Sequence, residues 1–269
     1  MTGRRGNVRN AGSEDAADAR GAVAGHRPGF ASVLKAEALK GRRAAPRKIA
    51  LVAPLPFCLL GAYSGEFATY GWNYWYALML PIAVALITAS VANIDARQKL
   101  RPVLGLPLPP ASTWWAKTAY ALALAFCANL VVLATSVLLG LVGFPVPSAA
   151  AGLGTAVLLV ATGAWMVPAG LALTTRFGTL AGIAVPVVLQ LGLGIGLWSS
   201  SVWYLFPPSA MLCAVSPLMG VAPSGVPLAP GDALGVFGWQ AALGVGLALA
   251  LFAVLAVLGA RWFGRREAA

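Results

Sequence analysis

Residues 118–142 read TAYALALAFCANLVVLATSVLLGLV and decide the class of fold. The run contains no Asp, Glu, Lys or Arg. It is longer than the ~20 apolar residues that a helix needs to cross the hydrocarbon core of a bilayer. The stretch therefore predicts a membrane-spanning helix.

Further apolar runs lie on both sides of it, at residues 49–64, 72–93, 148–174, 179–198 and 233–260. The whole chain of 269 residues is 59% hydrophobic and 10% charged, with a mean hydropathy of +0.80. Soluble domains carry about 25% charged residues. The composition argues against a water-soluble enzyme and against nucleic-acid binding, and it predicts an all-α polytopic membrane protein with six transmembrane helices.

The basic residues predict the orientation of these helices. All 19 Lys and Arg residues fall before the first apolar run or after the second, fourth and sixth. The opposite segments, 65–71, 143–147 and 199–232, contain none, and their only charged residues are Glu66 and Asp232. Because cytoplasmic loops collect Lys and Arg, we expect a multi-pass protein of the cell (plasma) membrane with both termini in the cytoplasm.

The N-terminal region divides into two segments. Residues 1–28 are polar and lack helical periodicity, which predicts a disordered cytosolic tail. In residues 29–48, apolar positions at helical spacing alternate with Lys and Arg. This predicts a basic amphipathic helix at the membrane interface, although the pattern also fits a helical start of the first span. Residues 49–263 then form the six-helix membrane domain, and 264–269 a cytosolic C-terminal tail.

The segment between the fifth and sixth spans, residues 199–232, is apolar but rich in proline. Its prolines are Pro207, Pro208, Pro217, Pro223, Pro227 and Pro230. A full span does not tolerate so many prolines, and irregular backbone at membrane depth has to be buried in protein. We expect one or two short helices that dip into the outer leaflet or lie on it; the alternative is a loose apolar loop.

The chain offers few residues for catalysis or metal binding. His26 is the only histidine, and the three cysteines lie in apolar surroundings without Cys-x-x-Cys spacing. These counts argue against a histidine-based triad, a metal site and a disulfide framework. The spans carry no convincing mid-membrane charge of the kind that ion-coupled transporters use, and no phosphate-binding loop is present. If the protein drives transport, the energy comes from another subunit.

Two stretches are candidate functional sites. The first is a short, highly charged segment after the second span, formed by Asp95, Arg97, Lys99 and Arg101. It fits a docking point for a soluble partner or an ordinary basic loop. The second is a set of aromatic residues on the outer side, Trp72, Trp75 and Tyr76 at the start of the second span and Trp203 beyond the fifth. These fit an aromatic belt at the headgroup level or a lateral access site for an amphipathic substrate.

The order of these features resembles a known family. A basic amphipathic helix, six spans, a charged loop after the second span and a broken segment before the sixth resemble permease subunits of type-2 ABC exporters. Within that group, WNYWYALMLP at residues 72–81, Lys99, Leu106-Pro107 and WAK at 115–117 are similar to the lantibiotic-immunity permeases of the MutE/EpiE type.

The resemblance implies a function for each part. Such permeases are non-catalytic and pair with a second, related permease and with an ATPase subunit that binds ATP and Mg²⁺; the permease itself holds no cofactor. Together they expel a lantibiotic from the producer's membrane. Residues 95–101 are then the coupling helix in the ATPase cleft, and residues 203–230 are extracellular re-entrant helices.

Two alternatives stay open at this stage. One is a general type-2 ABC permease that exports a drug or a lipid-like molecule. For either kind of permease, the expected partner in the membrane is a second, related permease or another copy of this chain. The other is a membrane protein without a transport function, such as a scaffold or an intramembrane enzyme.

Overall fold

A computed structural model describes residues 29–96 and 110–266. Within these ranges the protein is almost entirely helical and has no β-strand; an isolated bridge pairs Val221 with Pro227. The α-helices are α1 (Phe30–Lys40), α2 (Ala45–Val52), α3 (Leu55–Ser64), α4 (Leu80–Ala96), α5 (Pro110–Leu141), α6 (Ala149–Gly163), α7 (Met166–Phe177), α8 (Thr179–Leu197), α9 (Pro207–Cys213), α10 (Ser216–Met219) and α11 (Trp239–Arg266). The π-helical stretches π1 (Phe67–Asn73) and π2 (Trp75–Met79) lead into α4.

Five helical segments are long and apolar enough to cross a membrane, namely Ala45–Ser64, Phe67–Ile94, Pro110–Leu141, Thr179–Leu197 and Trp239–Arg265. Together, α6 and α7 are also long and apolar enough to cross a membrane, with a bend of 42° between the two helices. The described residues thus confirm the predicted all-α class. They contain five long apolar helices, or six if the bent pair counts as one, which is consistent with a polytopic membrane protein.

The N-terminal helix ends earlier in the structure than the sequence predicted. Instead of one helix over residues 29–48, α1 ends at Lys40, a 3₁₀ turn follows at Gly41–Arg43, and α2 begins at Ala45 and continues toward α3. Pro46 has no N–H for a bond to the carbonyl four residues earlier, so a continuous helix would break there. Proline is favoured in the first turn of a helix, which is its position in α2.

The fourth apolar run is a bent helix pair rather than a straight span. Ala164 and Trp165 separate α6 from α7, and Pro168 lies in the first turn of α7. Pro168 cannot donate to the carbonyl of Ala164, and its ring clashes with that carbonyl in a regular helix. The bend therefore falls directly before the proline.

The bundle has two ends, and hydrogen bonds between segments far apart in the sequence identify one of them. At one end, Lys117 Nζ donates to the carbonyl of Val91 at 3.4 Å, and Asn93 Nδ2 donates to Thr179 Oγ1 at 2.9 Å. This end also holds α1 and the last turns of α7 and α11, and we call it the basic end. The opposite end holds π1 and residues 198–238, and we call it the broken-helix end.

The long helix α5 packs against α1, α2, α4, α6 and α11, whereas α4, α7 and α8 pack against one another. The short helix α9 lies between α8 and α11 and also touches α6. Residues of α9 and of the turn after it are almost completely shielded from solvent, including Met211 and Val215. The middle of the proline-broken segment, residues 208–216, is therefore part of the core, whereas most of residues 226–232 are exposed.

Candidate functional site

The π-helical stretches give the start of the second span an unusual backbone. The N–H of Tyr74 donates to the carbonyl of Thr69, and that of Leu80 to the carbonyl of Trp75, each five residues back. Pro81 follows directly and cannot make the ordinary helical bond to Ala77. Wide turns of this kind are rare and occur often at functional sites.

This backbone places a cluster of aromatic and amide side chains inside the bundle. We call Trp72, Asn73, Trp75, Tyr76 and Asn129 the aromatic cluster; none is more than 1% exposed. Trp75 Nε1–H donates to Asn129 Oδ1 at 2.9 Å, and Asn73 Nδ2 donates to the Tyr76 hydroxyl at 2.8 Å. A buried donor left without its acceptor costs about 1–3 kcal/mol. The first bond therefore fixes π2 against α5, and the second holds π1 to π2.

The same cluster is tied to the broken-helix end. Asn73 Nδ2 also donates to the carbonyl of Ala222 at 2.9 Å, and Thr69 Oγ1 donates to the carbonyl of Gly225 at 3.1 Å. Gly225 has φ +83°, a conformation that glycine adopts without strain. The second span and the loop after α10 are thus joined by side-chain to main-chain hydrogen bonds.

A small apolar cavity lies beside the cluster, between α4, α5, α6 and α7. It has a volume of ≈ 10 Å³, and its lining includes Val84, Asn129, Met166 and Met211. A cavity of about this size holds at most one water molecule. This cavity therefore offers no room for a substrate.

A second polar group lies at the basic end. Glu37 on α1 is 2% exposed and accepts hydrogen bonds from Lys117 Nζ of α5 at 2.9 Å and from Lys40 Nζ at 2.6 Å. Lys117 is itself only 5% exposed. Burying a charge is unfavourable unless it is paired and hydrogen-bonded, so the Glu37–Lys117 pair holds α1 in one position on the bundle.

A further contact reinforces this attachment. Arg47 of α2 donates from Nε to the Tyr120 hydroxyl at 3.1 Å and from Nη2 to the carbonyl of Ala38 at 2.6 Å. Gly41 lies directly against the Tyr120 ring, and a Cβ at that position would collide with it. The 3₁₀ turn between α1 and α2 is therefore shaped around Tyr120.

The structure separates the aromatic residues that the sequence grouped as one candidate site. Trp72, Trp75 and Tyr76 lie in the core, so they do not have the lipid-facing exposure that an aromatic belt or a lateral access site needs. Trp203 is 9% exposed and belongs to a separate small apolar cluster with Ala210, Cys213 and Ala241. Asp95 belongs to the last turn of α4, while Arg97, Lys99 and Arg101 lie outside the described residues.

The sequence reasoning missed the polar partners within the helices. Asn129 is an amide in the middle of an otherwise apolar run, and such a residue signals an interhelical hydrogen bond. Glu37 is the only acidic residue between positions 19 and 65, a weaker signal for a buried pair. Within the described ranges, no three His, Cys, Asp or Glu side chains come together as a possible metal site.

Comparison of the chain with protein-family models, with curated proteins and with solved structures gives no match.

Proposed function

We propose that this chain is the membrane-spanning permease subunit of an ABC exporter, driven by a separate ATPase subunit. The observation that carries the proposal is the combination of α1, attached at the basic end, with two short helices at the opposite end. Of these, α9 is buried between the last two long apolar helices, and α10 packs against α6 and π1. This arrangement accords with the family that the sequence resembles.

In this proposal the chain crosses the cell membrane six times, with α6 and α7 forming one bent span. The basic end lies in the cytoplasm, because Lys and Arg accumulate there, and both termini are cytoplasmic. The broken-helix end lies outside, where α9 and α10 form re-entrant helices that the surrounding spans shield from lipid.

The second span connects the two ends mechanically. The charged segment Asp95, Arg97, Lys99 and Arg101 binds the ATPase at the cytoplasmic end of α4. The other end of this span carries Thr69 and Asn73, which hold the loop at residues 222–225. A rigid-body displacement of the span, driven by closure of the ATPase, is thereby passed to the broken-helix end.

The substrate in this proposal is an amphipathic, peptide-like molecule of the lanthipeptide type, expelled for self-immunity of the producer. The motif at residues 72–81 supports this class through the family that it resembles. The cavity beside the aromatic cluster is too small for such a molecule. We therefore place the substrate path at the surface between this chain and a second permease, either a related chain or another copy.

The experiment is affinity purification of the tagged chain from its native membranes. We expect an ATPase subunit to co-purify with the wild-type chain. Reversing all four charges, with Asp95→Lys, Arg97→Glu, Lys99→Glu and Arg101→Glu, should abolish its recovery because the docking charges then repel their partners. When wild-type permease and ATPase are expressed together, lanthipeptide tolerance should rise; with the reversed variant it should not.

Arg265→Glu provides the matched control, since Arg265 is exposed at the basic end but lies on α11. This variant should retain the ATPase. Recovery of the ATPase with the reversed variant would contradict the docking assignment, and absence of any ATPase from the wild-type preparation would contradict the proposed function.

A further inference from the structure

A groove on the side of the bundle lies between α1, α2 and α5. Its volume is ≈ 470 Å³, within the range of about 300–1,000 Å³ that is typical of ligand pockets. The lining is formed by Leu34, Ala38, Arg47, Ala50, Leu51, Ala119, Tyr120, Ala123, Leu124 and Cys127. Arg47 is thus the one charged residue in an otherwise almost entirely apolar lining.

The groove opens onto the apolar outer surface of the bundle. Leu51, which lines it, is 56% exposed, and Val52 beside it is 59% exposed. Ala123 and Cys127 are exposed as well and follow Tyr120 along α5. In a membrane this surface faces lipid chains, so the body of the groove is accessible to a hydrocarbon chain from the bilayer.

The polar end of the groove is equipped for an anion. Arg47 uses two N–H groups within the protein, toward Tyr120 and Ala38. A guanidinium has five, which leaves three for a ligand. Among the described residues, no carboxylate forms an ion pair with Arg47. Glu37 on the neighbouring α1 pairs with Lys40 and Lys117 instead.

Tyr120 adds a second donor at the same place. Its hydroxyl accepts the Nε–H of Arg47 and keeps its own hydrogen to donate. Because a guanidinium binds phosphate through paired, charge-assisted hydrogen bonds, the two side chains together suit a phosphodiester.

We propose that this groove binds an anionic phospholipid, with its phosphate on Arg47 and Tyr120 and an acyl chain along Ala50 and Ala123 toward Cys127. The lipid comes from the leaflet at the basic end, where clustered Lys and Arg attract anionic headgroups. The bound lipid joins α1 and α2 to α5 beside the Glu37–Lys117 pair.

Cys127 is a native reporter for this proposal. It is exposed in the groove, whereas Cys58 and Cys213 are buried. The experiment measures the rate at which an apolar maleimide labels Cys127 of the purified protein in detergent micelles containing phosphatidylglycerol or phosphatidylcholine. We expect phosphatidylglycerol to slow labelling about fivefold relative to phosphatidylcholine, as for one favourable basic contact with an anionic lipid.

Two kinds of variant distinguish the contribution of the Arg47 charge to this protection from that of the free space in the groove. Arg47→Gln should remove the protection by phosphatidylglycerol, and Arg47→Lys should retain part of it. Arg176→Gln, at an exposed arginine outside the groove, should behave as wild type. Ala123→Phe fills the groove at an exposed position that makes no side-chain hydrogen bond, and it should slow labelling whether or not phosphatidylglycerol is present.

Several outcomes would overturn the proposal. Equal protection by the two lipids would show that the groove does not recognise the anionic headgroup, and unchanged protection in Arg47→Gln would remove Arg47 from the site. Protection by inorganic phosphate alone would replace the lipid with a free anion. Protection that rises with protein concentration without phosphatidylglycerol would assign the groove to a second copy of the chain.

Discussion

The Glu37–Lys117 pair is the residue-scale feature on which the position of α1 depends. Both charges are buried, and the partners are 80 positions apart in the chain. The attraction between two such charges roughly offsets the cost of removing them from water. The pair therefore contributes little net stability, but removing one member leaves the other with a weaker set of partners in a buried place, which is unfavourable.

Lys117→Met should lower the free energy of unfolding by about 1–3 kcal/mol, because the buried Glu37 carboxylate loses its buried partner and keeps only the partly exposed Lys40. The double variant Glu37→Gln/Lys117→Met should lose less than the sum of the two single variants, since both buried charges of the pair are then removed together. Thermal unfolding in detergent would measure both. Lys35→Met, at an exposed position of α1, serves as the control, and strictly additive losses would contradict the pairing.

The hydrogen bonds between individual side chains were the feature that the sequence predicted least well. The motif at residues 72–81 was visible, but nothing in its spacing indicated that Trp75 reaches Asn129 or that Asn73 reaches the loop at residue 222. Such pairs depend on how the helices are rotated and on the wider π turns. Apolar content, from which the spans were predicted, carries no information about either.

At the scale of helices, the close approach of α7 and α8 depends on a glycine. A Cβ added to Gly182 would overlap the Thr174 side chain and come within 2.9 Å of its backbone nitrogen. Gly192, farther along α8, has no neighbouring heavy atom within 4 Å of an added Cβ. Two glycines of one helix thus differ in their surroundings, although the sequence does not distinguish them.

Gly182→Ala should destabilise the protein by about 1–3 kcal/mol, because the added methyl overpacks the contact between α7 and α8. Gly192→Ala should leave stability unchanged or raise it by up to about 1 kcal/mol through its higher helix propensity. The midpoints of thermal unfolding of the two variants give a direct comparison. Equal effects of the two substitutions would argue against the close packing.

Helix existence was predicted well, and helix ends were not. Each of the six apolar runs contains a long helix or, for the fourth, a bent helix pair. However, α5 begins at Pro110, before the apolar stretch at residues 118–142, and α11 covers Trp239–Arg266 where residues 233–260 were predicted. Hydropathy marks the part of a helix that suits lipid, whereas backbone hydrogen bonds continue into polar flanks. The breaks before Pro46 and Pro168 follow from proline itself.

At the scale of the whole molecule, the concentration of Lys and Arg at one end predicts that this end faces the cytoplasm. In a cysteine-free background, Ser224→Cys at the broken-helix end should react with an impermeant thiol reagent added to intact cells. Arg176→Cys at the basic end should react only after permeabilisation. Both positions are exposed. Leu138→Cys, on the apolar side of α5 and 64% exposed, should stay unlabelled in both cases, and the reverse pattern would invert the orientation.

The hydrogen bonds of Asn73 also have a consequence for biosynthesis. The carbonyl of Ala222 is 149 positions further along the chain, and ribosomes add about 5–20 residues per second, so the amide waits roughly 7–30 s for it. The other acceptor of this amide in the folded protein, the Tyr76 hydroxyl, lies only three residues away and is made at almost the same time. A chain that terminates before position 222 leaves the buried Asn73 amide without this acceptor, so a late stop codon should loosen the packing of a helical stretch made much earlier in synthesis.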